Sequence, residues 1–208
     1  MATATATAPA HEHEYPTFGL PAGSIRGFLS VLICSFFWIF LLMPEPPPWQ
    51  ETLKAPLGHF FLLTLVFMSF ASHPLQDARM HTLPWLMRLL FVGGSAVVLG
   101  LAIYKDPHLA AARLTPSPAE ITQWPMFLGC LAGGFGAALF LRFVLGRRSE
   151  IFMTVRAWIG VIAMLLLFVE TILQFLVLPG MAEKNMEALQ IWEGIIIAVV
   201  AAYFGSRA

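Results

Sequence analysis

The feature that most constrains this chain is a set of long apolar runs from which charge is almost absent. No residue is charged from Gly27 to Met43, from Leu89 to Tyr104, or from Trp124 to Leu141. Between Ala157 and Leu178 the single charged residue is Glu170. In hydrocarbon a backbone has no water to bond, so a run of this length satisfies its own polar groups by becoming a helix. Composition agrees: 58% of the 208 residues are apolar and 12% are charged, far from soluble usage. The expected fold is an all-α integral membrane protein.

Six runs qualify, at about 24–43, 56–72, 84–104, 124–145, 156–178 and 189–205, within one helical transmembrane domain from 23 to 207. The second, at roughly 17 residues, is at the lower limit for a hydrocarbon core about 30 Å thick. A partial or tilted insertion is its alternative reading. The Pro44-Glu45-Pro46-Pro47-Pro48 segment stops the first run, because proline lacks the amide donor and clashes with a continuing helix. The longest connection, Lys105 to Thr122, holds Pro107, Pro116 and Pro118 and reads as a water-exposed loop. Residues 1–22 lack a basic segment followed by an apolar one, so they read as a flexible cytoplasmic tail and not as a cleavable signal. Within that tail His11-Glu12-His13-Glu14 reads as solvated and not as a metal site.

The runs pair into three consecutive hairpins, and the first and third hairpins look alike. Ser24-Ile25-Arg26-Gly27-Phe28 opens the first and Phe70-Ala71-Ser72-His73 closes it. Thr154-Val155-Arg156-Ala157-Trp158 opens the third and Phe204-Gly205-Ser206-Arg207 closes it. This suggests a parallel internal repeat relating 24–73 to 154–207. The middle hairpin fits loosely, with Arg88 near its start and Arg142 near its end. Arg26, Arg88, Arg142, Arg156 and Arg207 then anchor the cytoplasmic rim, although arginine at that end is also what lipid headgroups favour. With the amino terminus inside, eight basic residues (Arg26, Arg79, Arg88, Arg142, Arg147, Arg148, Arg156 and Arg207) face the cytoplasm and four (Lys54, Lys105, Arg113 and Lys184) face outward. That asymmetry obeys the positive-inside rule, puts both termini in the cytoplasm, and suits a bacterial inner membrane.

Glu170 is the leading functional candidate. It lies about 14 residues, or roughly 21 Å, from the inner end of its helix, and Gln174 is one turn further on the same face. An ionisable group at that depth marks a pathway or a structural hydrogen bond to a partner. Glu193 sits near the outer start of the last run, where His59 sits in the second, and interfacial solvation is its plainer reading. His59 and His73 share one helix face and can be read as axial ligands to haem or chlorophyll. Bis-ligation would need two more histidines at matching depth, and His81 and His108 read as loop residues. Gly129, Gly133, Gly134 and Gly136 make a smooth face for helix packing, inside the chain or between copies. Cys34 and Cys130 read as inert packing residues.

Dinucleotide, P-loop, zinc-protease and serine-hydrolase motifs are absent, and so is a basic stripe for nucleic acid. The sequence therefore favours a non-catalytic multi-span subunit that builds or stabilises a larger membrane assembly, in contact with lipid and with other subunits or copies of itself. No cofactor beyond bound lipid is expected. The alternative is an oligomeric channel or transporter for an ion or small solute that uses Glu170, Gln174 and Glu193.

Overall fold

A computed structural model describes residues 24–44, 54–71, 86–87, 89–146, 149–180 and 185–207. They are 90% helical, with no strand among them. Helix α1 spans Ser24–Leu42 and α2 spans Leu57–Ala71. A π turn at Leu89–Gly93 leads into α3, Gly94–Lys105. Two short helices follow, α4 at Pro107–Leu114 and α5 at Pro118–Thr122. Helix α6 is Trp124–Leu145, α7 is Glu150–Ile172 and α8 is Met186–Gly205.

The ends of these helices follow from local sequence. Asp106 caps α4 by accepting from the amides of His108 and Leu109, both at 2.9 Å, with Pro107 next in the chain. Asn185 caps α8 through the Ala188 amide at 3.1 Å. Gly146 ends α6 with φ +75, a left-handed conformation that glycine adopts without strain. Its amide returns to the Arg142 carbonyl at 3.1 Å.

Four helices are long and apolar enough to cross a membrane: Ser24–Leu42, Trp124–Leu145, the continuous stretch Glu150–Gly180, and Met186–Gly205. The chain is thus a helical membrane protein by length and hydropathy. The second and third expected spans are shorter apolar helices, Leu57–Ser69 and Leu89–Lys105. The fifth begins at Glu150 and not near Arg156, because the chain re-enters a helix soon after the Gly146 stop, with Glu150 in the first turn where the helix dipole favours an acid.

Over their most apolar stretches, α1 (50%) and α8 (56%) are far more buried than α7 (22%) and α6 (11%), so α1 and α8 are the middle of the bundle. Helices α2 and α7 each bridge α1 and α8, while α3 packs on the outer side of α1 and α6 on that of α8. Contacts set the directions. Ile25 meets Gly160 and Phe36 meets Phe175 with ring centroids 5.0 Å apart, so α1 and α7 run the same way. Trp192 meets Glu170 and Tyr203 meets Gly160, so α8 runs opposite to α7; His59 meets Ile33 and Ser69 meets Arg26, so α2 runs opposite to α1; and Cys130 meets Gly194 while Phe135 meets Gly205, so α6 runs with α8.

Close helix packing is carried by small residues. A side chain on Gly134 would strike the Ala198 carbonyl oxygen and lie 2.9 Å from the Ala201 Cβ. One on Gly205 would lie 2.7 Å from Phe135, and one on Gly194 would lie 3.1 Å from the Cys130 sulfur. Gly194, Ala198, Ala201 and Gly205 thus form a stripe along α8 that receives α6. Of the four glycines expected to pack, Gly134 makes this contact, whereas nothing lies within 4 Å of where a side chain would begin at Gly129, Gly133 or Gly136. Gly94 admits Trp38, whose indole N–H donates to Ser95 Oγ at 3.0 Å. Cys34 is buried in the core, and both cysteines are free thiols.

The Lys105–Thr122 connection departs from its expected form. It is α4 and α5, and it packs back on the bundle. Arg113, 3% exposed, sends Nη1 to the carbonyls of Phe40, Leu41 and Met43 (3.2, 3.1 and 2.7 Å) and Nη2 to Pro44 (2.9 Å). These are the carbonyls that a helix C-terminus leaves unmatched, and a cation there also opposes the helix dipole. Arg113 is a buried cap, not an outer-loop charge.

Candidate functional site

One group of buried polar residues gathers where α2, α7 and α8 meet. Glu170 lies in the last turn of α7, immediately before a π turn at Leu173–Val177 that holds Gln174. Gln174 Nε2 donates to Glu170 Oε1 at 2.9 Å, and the Trp192 indole on α8 donates to Glu170 Oε2 at 2.5 Å. Both carboxylate oxygens are thereby engaged. π turns recur at functional sites because they redirect side chains within a helix.

Glu193 follows Trp192 and points to the amino terminus of α2. The Gly58 backbone amide is its hydrogen-bond partner, and Glu170 and Glu120 are near enough to interact with it electrostatically. Its Oε2 is nonetheless buried without a hydrogen-bond partner. Glu120 on α5 accepts from the Leu57 amide at 3.3 Å. Two acids therefore face the first amides of α2, where unmatched N–H groups and the helix dipole both favour negative charge. Gly58 makes the approach feasible, since a Cβ there would lie 2.9 Å from Glu193 Oε2.

His59, the next residue along α2, is 5% exposed. Its Nε2 lies 2.8 Å from the Ile33 carbonyl, and its ring stacks on Phe36 with centroids 4.2 Å apart. Pro56, Gly58, His59, Leu62, Glu170, Glu193, Ile196 and Ile197 line a cavity of about 10 Å³. That is close to the space one water molecule occupies. Two acids and one imidazole therefore share the wall of a water-sized void, with apolar side chains closing the remainder.

The structure thus brings together Glu170, Gln174, Glu193 and His59, which the sequence singles out. Glu120, Trp192 and Gly58 complete the group, and no local sequence pattern marks them. A tetrapyrrole is poorly matched to His59, because its Nε2 is directed at a backbone carbonyl and its ring is packed against Phe36. His73 and Arg88 lie outside the described residues, as does the tail at 1–22. Among the described residues no group of three or more His, Cys, Asp or Glu has the arrangement to hold a metal ion.

The basic residues lie at the other end. The Arg26 guanidinium donates to the Ser69 carbonyl near the end of α2. Arg156 and Arg207 flank Tyr203 at that same end, and Arg142 is in the last turn of α6. Acids and arginines are thus separated along the helices. No family model matches this chain, no curated protein matches it, and no solved structure matches it.

Proposed function

We propose that the protein is a multi-span membrane protein that binds and passes protons or a small cation, in the channel or transporter class. One observation carries this reading: Glu170, Glu193 and His59, from three helices, share a water-sized cavity in which Glu193 Oε2 has no protein partner. Ionisable groups at such depth in an apolar bundle are costly, and in membrane proteins they characteristically mark an ion or proton path. Carboxyl and imidazole groups can each accept and release a proton, and a single water would link them without any change of backbone. Glu170 is held by Gln174 and Trp192, so it serves as the fixed member, and Glu193 as the exchanging one.

The proposed topology keeps six crossings in three hairpins with both termini in the cytoplasm of a bacterium. The arginine-rich end then faces inward and the acid cluster lies in the outer half. The first and third hairpins would be related by the parallel repeat suggested by Arg26 and Arg156.

The test is flux into liposomes carrying the purified chain, read by an internal pH dye under an imposed potential and then repeated with potassium or sodium gradients. Glu193→Gln should reduce flux at least tenfold, and Glu170→Gln should reduce it less, because an amide keeps part of the Gln174–Trp192 arrangement. Flux equal to that of protein-free liposomes for the wild-type chain would end the proposal.

A second reading keeps the protein as a non-catalytic subunit of a larger membrane assembly, with other subunits or further copies as partners. It is favoured by Gly129, Gly133 and Gly136, which occupy one uncovered face of α6. Purification in mild detergent distinguishes the readings: stoichiometric partners support the subunit role, and a lone species with flux supports transport.

A further inference from the structure

The end of the bundle opposite the acids carries a second polar centre. Tyr203 on α8 is 1% exposed, and the group beside its hydroxyl is the Arg207 guanidinium, which can donate to the oxygen but cannot accept its proton. Its ring is seated between α1 and α7 at Gly160, where a Cβ would lie 2.9 Å from the ring and 2.7 Å from Ile25 Cγ2. Three guanidiniums from three elements lie within electrostatic reach of that hydroxyl: Arg26 of α1, Arg156 of α7 and Arg207 just after α8. The Arg207 carbon Cζ is 5.7 Å from the Tyr203 ring centroid, and its Nε is buried with no hydrogen-bond partner. Side chains that merely snorkel to a membrane surface diverge toward water. Here the Arg207 guanidinium is held back over the Tyr203 ring, and Arg26 and Arg156 act on the same buried hydroxyl.

We propose that Arg26, Arg156, Arg207 and Tyr203 form a binding site for a phosphate group, supplied by an anionic lipid headgroup or by free phosphate. Arginine presents a planar fork that matches phosphate oxygens in pairs, and a tyrosine hydroxyl adds a neutral donor. A phosphate placed here would accept from the Arg207 Nε–H, which is buried and unmatched, and from the Tyr203 O–H, whose neighbouring guanidinium cannot take its proton. Its position at a helix-bundle end is where headgroups stand. The site is independent of the acid cluster, so it survives whether or not the chain conducts ions.

The experiment uses the full chain in neutral detergent. Retained lipid is counted by native mass spectrometry after exchange from vesicles of phosphatidylglycerol or of phosphatidylcholine, and inorganic phosphate is titrated separately by calorimetry. Retention of phosphatidylglycerol over phosphatidylcholine assigns the site to lipid, and saturable inorganic phosphate binding assigns it to the free ion. Either source should be bound about tenfold more weakly by Arg207→Gln, the loss of one charge-assisted pair. Tyr203→Phe, which keeps the ring in its slot, should weaken binding severalfold, and Arg142→Gln should leave it unchanged. The proposal fails if neither source binds, or if Arg142→Gln weakens binding as much as Arg207→Gln does.

Discussion

Replacing Gly134 with alanine should loosen the bundle, whereas the same change one residue earlier should not. At Gly134 the added methyl would meet the Ala198 carbonyl oxygen and lie 2.9 Å from the Ala201 Cβ, against an ordinary contact of at least 3.4 Å. Relief needs α6 and α8 to separate by roughly 1 Å, because the tightest obstacle is the Ala198 backbone oxygen, which cannot rotate away. Overpacking of this kind costs about 1–3 kcal/mol. The separation would also be felt at Gly194 and Gly205, which share the interface. At Gly133 nothing lies within 4 Å, so alanine there adds only its helix preference, about 0.5–1 kcal/mol in the stabilising direction. The assay is unfolding of each purified variant in mixed micelles with rising SDS, followed by circular dichroism and tryptophan fluorescence. If Gly134→Ala and Gly133→Ala shift the midpoint equally and in the same direction, the described α6–α8 contact is wrong.

Arg113→Met keeps much of the side chain's volume but strips the end of α1 of its buried donors, and should cost about 2–4 kcal/mol, seen as a lower SDS midpoint; Arg113→Lys should recover only part of it. Gly58→Ala should push the Glu193 carboxylate from its place at the start of α2 while sparing stability more than Gly134→Ala does. In liposomes it should reduce flux in the manner of Glu193→Gln, and unchanged flux would separate Gly58 from the site.

Much of this architecture is legible in the chain because charge is expensive in lipid. The charge-free gaps between Arg26 and Pro44, and between Glu120 and Arg142, place α1 and α6 to within about four residues. Glu170 stands out for the same reason, as an acid in an otherwise uncharged stretch, and Gln174 follows from helical spacing. What hides is whatever depends on contacts between distant segments. Arg113 and Glu120 lie in a proline-marked stretch that looks like a solvated loop, and nothing local says that one caps α1 and the other meets α2. Trp192 resembles an interfacial anchor until its indole is seen on Glu170. Gly194, Ala198, Ala201 and Gly205 do carry a readable spacing, but alanine is too common in apolar helices for the stripe to stand out. His59 drew notice for its pairing with His73, and the structure gives it a different setting beside Glu170 and Glu193.

The Arg113 cap also orders events during synthesis. The terminal carbonyls of α1 are met by a side chain roughly seventy residues downstream, so when the first pair of helices leaves the ribosome that end of α1 is still unfinished. Headgroups or water must serve those carbonyls until α4 emerges. A nascent chain stalled before Arg113 would therefore hold its opening hairpin with a frayed edge, exposed to the quality-control proteases of the membrane, and completion of α4 is the moment at which that edge closes.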